Sequence, residues 1–104
     1  MTERRQARRY DLVLPAVVNP NSEERESGRT RDISTGGVFL LVPQTINREC
    51  DFEVNIDLPT ETGVQIQAVA RAVRTEEWTQ RGRRVVGVGA VIQSHEIVRS
   101  PGKW

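Results

Sequence analysis

The sequence is short of the side chains on which most chemistry depends. It has one cysteine, Cys50, and one histidine, His95. A single thiol excludes an internal disulfide, and one imidazole without a cysteine pair leaves no zinc-like cluster. The same scarcity argues against an enzyme, because no spacing offers a nucleophile beside its base or a set of metal ligands. His95 is therefore expected at the surface and Cys50 as a buried or half-buried thiol. Aromatic residues are also few, with two Phe, two Trp and one Tyr, so the core must come mainly from Val, Ile and Leu. No run approaches the roughly 18 consecutive apolar residues needed to cross a bilayer, and the N-terminus carries charge where a signal peptide needs an apolar stretch. A cytoplasmic protein without a membrane segment is the expectation. Lysine is almost missing: of the 15 basic residues all but Lys103 are arginine.

What remains is enough for one domain. A chain of 104 residues, 37% hydrophobic and 28% charged, builds one modest core and is too short for two. The net charge of +1 conceals a local concentration, since Arg4, Arg5, Arg8 and Arg9 fall in the first nine residues. Arginine presents a planar fork that grips phosphate bidentately and stacks on flat rings, whereas lysine is a point charge.

Residues 1–9 are polar, lack an apolar stripe and set like charges four apart, which disfavours a helix; they read as a flexible arm. From Tyr10 the pattern alternates, with Tyr10, Leu12, Leu14, Ala16 and Val18 on one face, and Pro15 marks an edge or bulged strand. Asn19-Pro20-Asn21-Ser22 is a turn, followed by a solvated loop and a return strand over 29–33. Residues 38–42 form a short apolar strand, residues 50–58 alternate inward Phe52, Val54, Ile56 and Leu58, and residues 64–73 alternate inward Val64, Ile66, Ala68, Ala70 and Ala72. The last of these strands runs on towards Trp78. Gln80-Arg81-Gly82-Arg83 turns the chain into a final strand over 84–92, which Gly87 and Gly89 weaken unless a bend or a close backbone approach is needed there. Phe39 and Phe52 read as core, and Trp78 and Trp104 as tolerated at a strand end and a terminus. Arg81, Arg83 and Arg84 read as a solvated turn, or as an extension of the basic patch where the barrel brings them near the arm. The expected fold is all-β, a six-stranded antiparallel barrel over residues 10–93, with a short tail over 94–104 that offers at most one helical turn near 95–99.

Two motifs stand on either side of the first hairpin. Arg4-Arg5-Gln6-Ala7-Arg8-Arg9 holds Arg-x-x-x-Arg in two registers. Asp32-Ile33-Ser34-Thr35-Gly36-Gly37 has the form Asp-x-Ser-x-x-Gly, and by itself it reads as a well-made β-turn. In this order, followed by Val86-Gly87-Val88-Gly89 in the last strand, they resemble the PilZ domain family over about residues 3–92.

The resemblance implies a receptor for cyclic di-GMP that is not an enzyme. Arg5 and Arg9 occupy the register of the family's ligand-binding arginines, and Arg4 and Arg8 either contact a second ligand molecule or are solvated. Asp32 resembles the residue that accepts hydrogen bonds from guanine N1–H and its N2 amine, and Ser34 contacts the ligand or braces the turn. Gly36 and Gly37 let the backbone come close to the base or adopt positive φ. The ligand would order the arm and present a changed surface to a protein partner or to another copy of the chain. The readings set against this are a fold of the same family that serves as an interaction module without ligand, and a small barrel that binds single-stranded nucleic acid. The second lacks exposed aromatic platforms.

Overall fold

The computed structural model describes residues 10–34, 36–43, 50–59 and 63–99. The arginine arm, Thr35 and Trp104 lie outside them. Six strands are present: β1 Pro15–Val18, β2 Glu26–Ile33, β3 Gly37–Val42, β4 Asp51–Asp57, β5 Val64–Gln80 and β6 Arg83–Arg99. They close antiparallel into a barrel in the order β1-β2-β3-β6-β5-β4, β4 returning to β1. Closure matters because β1, β3, β4 and the inner halves of β5 and β6 each bury one apolar face, and a closed wall encloses those faces while leaving few unpaired edges.

Period-two alternation supplies the interior. Val18, Leu40, Val54, Ile56, Val86 and Val88 are fully buried, and Leu14, Val38, Val42 and Phe52 complete the large side of the core. The small side comes from β5. Phe52 pairs with Ala70 and Val54 with Ala68, while Ile56 pairs with Ile66, so two of the three large inward residues of β4 face a methyl group, which lets the opposing wall fill the middle without overpacking.

The β5–β6 hairpin is closed by Arg81 and Gly82, both at positive φ (54° and 75°). Two such residues between Gln80 and Arg83 make the primed two-residue turn whose twist suits a hairpin. β6 then continues past the expected strand end. Residues 95–99, expected as a helical turn in a short tail, are strand, paired from His95 with Ala68 to Arg99 with Val64. Backbone hydrogen bonds to β5 are available along the whole stretch, and an isolated single turn of helix has no comparable source of stability.

The first strand is shorter than its alternation implies. Leu14, Ala16 and Val18 are buried, but Tyr10 and Leu12 are exposed, and residues 11–14 leave the ladder. Thr30, fully buried, holds that detour in place. Its Oγ1 accepts from Leu14 N (3.0 Å) and donates to Leu12 O (2.6 Å), while its own N donates to Leu14 O (2.9 Å). Pairing resumes at Tyr10, whose N donates to Ile33 O (2.9 Å) and whose O accepts from Ile33 N (3.0 Å). Cys50, expected to be at least half-buried, is exposed. It shares the parity of Phe52 but precedes β4, beyond the rim where the opposite wall would cover it.

Candidate functional site

Two β-bulges set the outer face of the barrel beside the Ser34–Gly37 turn. In β2, Thr30 pairs with Leu40 but Asp32, not Arg31, pairs with Phe39. Strict alternation would carry Asp32 to the same side as Thr30, into the core. The extra residue instead leaves both Arg31 and Asp32 on the outside, opposite Phe39, which is the use to which bulges are commonly put. In β5 the same device acts at Val73: Ala72 pairs with Ala90, and the next partners are Arg74 and Gly89. Val73 and Arg74 both end outside.

The result is a row across four strands. Asp32 pairs with Phe39, Phe39 with Gly89, and Gly89 with Arg74. Around it lies a cleft of about 480 Å³ whose lining includes Asp32, Ser34, Gly37, Phe39, Arg74 and Gly89. Gly36 and Ala90 also line it, and Val73 and Val91, 44% and 47% exposed, supply apolar surface.

Phe39 is buried as expected, but on the outer face and not in the barrel interior. It lies among groups on every side. The Arg31 guanidinium sits 4.0 Å from its ring centroid and the Arg74 guanidinium 5.4 Å. Gly87 lies against the ring: a Cβ there would fall 2.6 Å from both Cε1 and Cζ and 3.1 Å from Trp78 Cη2. The close approach anticipated for the glycines of β6 is thus made at Gly87, where a ring occupies the place of a side chain. At Gly89 a Cβ would find ordinary contacts at 3.6–3.7 Å.

The structure brings Asp32, Ser34, Gly36 and Gly37 to one cleft. Asp32 is 5% exposed, and its Oδ2 accepts from Arg31 Nε at 3.4 Å. Ser34 braces the turn: its N donates to Gly37 O (2.9 Å), with its hydroxyl 3.4 Å from the same oxygen. Gly36 O accepts from Ile92 N (3.0 Å), fixing the turn to β6. A Cβ on Gly37 would press on Ala90 O at 3.1 Å, whereas one on Gly36 would meet nothing. Positive φ among the described glycines is found at Gly63 and Gly82, so Gly37 serves by close packing. The arginines Arg4, Arg5, Arg8 and Arg9 lie outside the described residues. The chain that follows them enters at Tyr10, bonded to Ile33, immediately before Ser34.

Sequence reasoning missed Phe39, Val73 and Arg74. Nothing in the spacing of Val73 and Arg74 announces a bulge, because the apolar alternation of β5 runs through Ala72 and is not needed beyond it. His95 is exposed and lines a second cleft, with Glu53, Asn55, Gln67 and Glu96. Arg84 is ion-paired with Glu77 at 2.9 Å. Among the described residues there is no cluster suited to hold a metal ion, and no helix is long and apolar enough to cross a membrane.

The chain is thus a closed six-stranded barrel with a mixed polar and apolar cleft on its outer wall, beside the Ser34–Gly37 turn. The PilZ domain model matches residues 3–98, and the chain belongs to the PilZ domain family, a family of cyclic di-GMP receptors. The structure of the Bacillus subtilis inhibitor of motility (MotI/DgrA) is similar with a TM-score of 0.71 at 24% identity, over 89% of this chain and 44% of that one. This chain therefore spans less than half of that protein's. The PilZ domain of YcgR from Escherichia coli, solved with c-di-GMP, is similar with a TM-score of 0.67 at 12% identity, over 88% of this chain and 79% of that one. At these identities the likeness establishes the shared fold. No curated protein matches the chain.

Proposed function

We propose that this barrel is a receptor for cyclic di-GMP, bound between the arginine arm and the cleft at the Ser34–Gly37 turn. The observation that carries this is the Tyr10–Ile33 backbone pair. It joins the end of one motif to the other, because Arg9 is one peptide unit from Tyr10 and Ser34 is one from Ile33. The residue that follows the arginine motif is thus tied to the strand that leads into the Ser34–Gly37 turn.

The chemistry of the lining suits the ligand. A carboxylate at Asp32 accepts from two guanine donors, and an acceptor-only group is what that edge requires. The turn at Gly36 leaves open space where a side chain would stand, and Val73 and Val91 offer apolar surface to a flat base. Arg5 and Arg9 bind the phosphates or stack on a purine, with Arg4 and Arg8 beside them. Four like charges on one arm repel, and a dianionic ligand offsets that repulsion while holding the arm against the barrel. The output is a changed surface, detected by a protein partner or by another copy of the chain.

Isothermal calorimetry on the whole chain tests the assignment. Wild type should bind cyclic di-GMP at low micromolar or tighter. Arg9→Ala and Asp32→Ala should each weaken binding by roughly tenfold or more, the loss expected when one partner of a charge-assisted hydrogen bond is removed. Equal affinity for GMP or for single-stranded DNA would reject the assignment.

A further inference from the structure

Resting on the cyclic di-GMP reading, we propose that Arg74 is a ligand-binding residue of the cleft, taking a phosphate of the dinucleotide while Asp32 holds a base, and that Glu76 competes with the ligand for it. The Val73 bulge places Arg74 in register with Gly89, and through Phe39 in the same row as Asp32. Three strand spacings of about 4.8 Å separate the two ends of that row, roughly 14 Å along the wall. The Arg74 guanidinium leans back along the row to 5.4 Å from the Phe39 centroid, so its charge stands over the middle of the cleft.

Two features make this a place for an anion. Arg31 and Arg74 both approach the same ring, at 4.0 and 5.4 Å, and a negative group between or beside them relieves the repulsion of two cations near one another. Their existing partners differ. Arg31 faces Asp32, inside the cleft. Arg74 Nε is 3.5 Å from Glu76 Oε2, an ion pair with side chains 56% and 49% exposed, and Glu76 does not line the cleft. A pair so open to solvent is worth little, whereas a phosphate offers the guanidinium two oxygens at once. The exchange therefore favours the ligand.

The test is calorimetric titration of cyclic di-GMP into wild type, Arg74→Ala and Glu76→Gln at several salt concentrations, with melting temperatures recorded for each. Arg74→Ala should weaken binding by about tenfold and flatten the dependence of affinity on salt. Glu76→Gln should tighten binding by up to about fivefold, a gain that loss of a merely structural contact does not produce. The assignment is overturned if Arg74→Ala binds within twofold of wild type, if its deficit comes with an unchanged salt dependence, or if Glu76→Gln binds more weakly than wild type. Absence of binding by wild type itself removes the cyclic di-GMP reading and this inference together, which distinguishes that failure from one confined to Arg74.

Discussion

Replacing Gly87 with alanine adds one methyl group, and its consequence follows from the position of the Phe39 ring. The new Cβ would lie 2.6 Å from Cε1 and Cζ and 3.1 Å from Trp78 Cη2, against a comfortable carbon–carbon separation of about 3.5–4.0 Å. The ring must therefore withdraw by roughly 1 Å. It has little room to do so, being 2% exposed with the Arg31 guanidinium 4.0 Å from its centroid. Forced displacement of a packed side chain costs about 1–3 kcal/mol, and the alanine's better fit to a strand returns only about 0.5–1 kcal/mol of it. The net loss is about 1–2 kcal/mol, and a melting temperature lower by about 5–15 °C is expected for a domain of this size. Differential scanning calorimetry measures it directly. Gly89→Ala is the control, because the same methyl group two residues on meets only contacts of 3.6–3.7 Å and should leave the melting temperature unchanged or slightly raised. In a Phe39→Ala background the penalty of Gly87→Ala should largely vanish, since the obstructing ring is gone. Equal effects of alanine at 87 and 89, or a full penalty without the ring, would refute the account of β6 as a strand cut away to seat Phe39.

Thr30→Val keeps shape but removes the hydroxyl that serves Leu14 N and Leu12 O; urea unfolding should show a loss of about 1–3 kcal/mol, the cost of leaving a buried backbone donor without its partner. Ile56→Ala, in the fully buried layer of β4, should cost about 2–5 kcal/mol in the same assay through lost burial and the cavity left behind.

Much of the fold is legible from side-chain periodicity. The inward sets of β4 and of the first half of β5 follow from alternation alone, and the turns at Asn19 and at Gly82 from residues that tolerate positive φ. The motif residues Asp32, Ser34, Gly36 and Gly37 are likewise recognisable by type and spacing. The pattern is silent or misleading where alternation breaks. A buried threonine braces residues 11–14 where they leave the ladder, bulges at Arg31 and at Val73 each shift parity by one residue, and no local sequence feature marks any of the three. Phe39 shows the limit most clearly: a large apolar residue inside an apolar run reads as core, yet its strand turns it outward, where an arginine and a glycine bury it.

The sequence by itself therefore determined the number of strands, their apolar faces and the chemical types gathered at the first hairpin, because these depend on alternation and turn chemistry within a few neighbouring residues. Tertiary structure alone decided which residues share the cleft. That choice rests on hydrogen-bond register between strands distant in the chain. Moving a partner by one position sends a side chain to the opposite face of the wall, so Asp32 and Arg74 meet in one row only because two bulges, in two different strands, have each shifted the register by one.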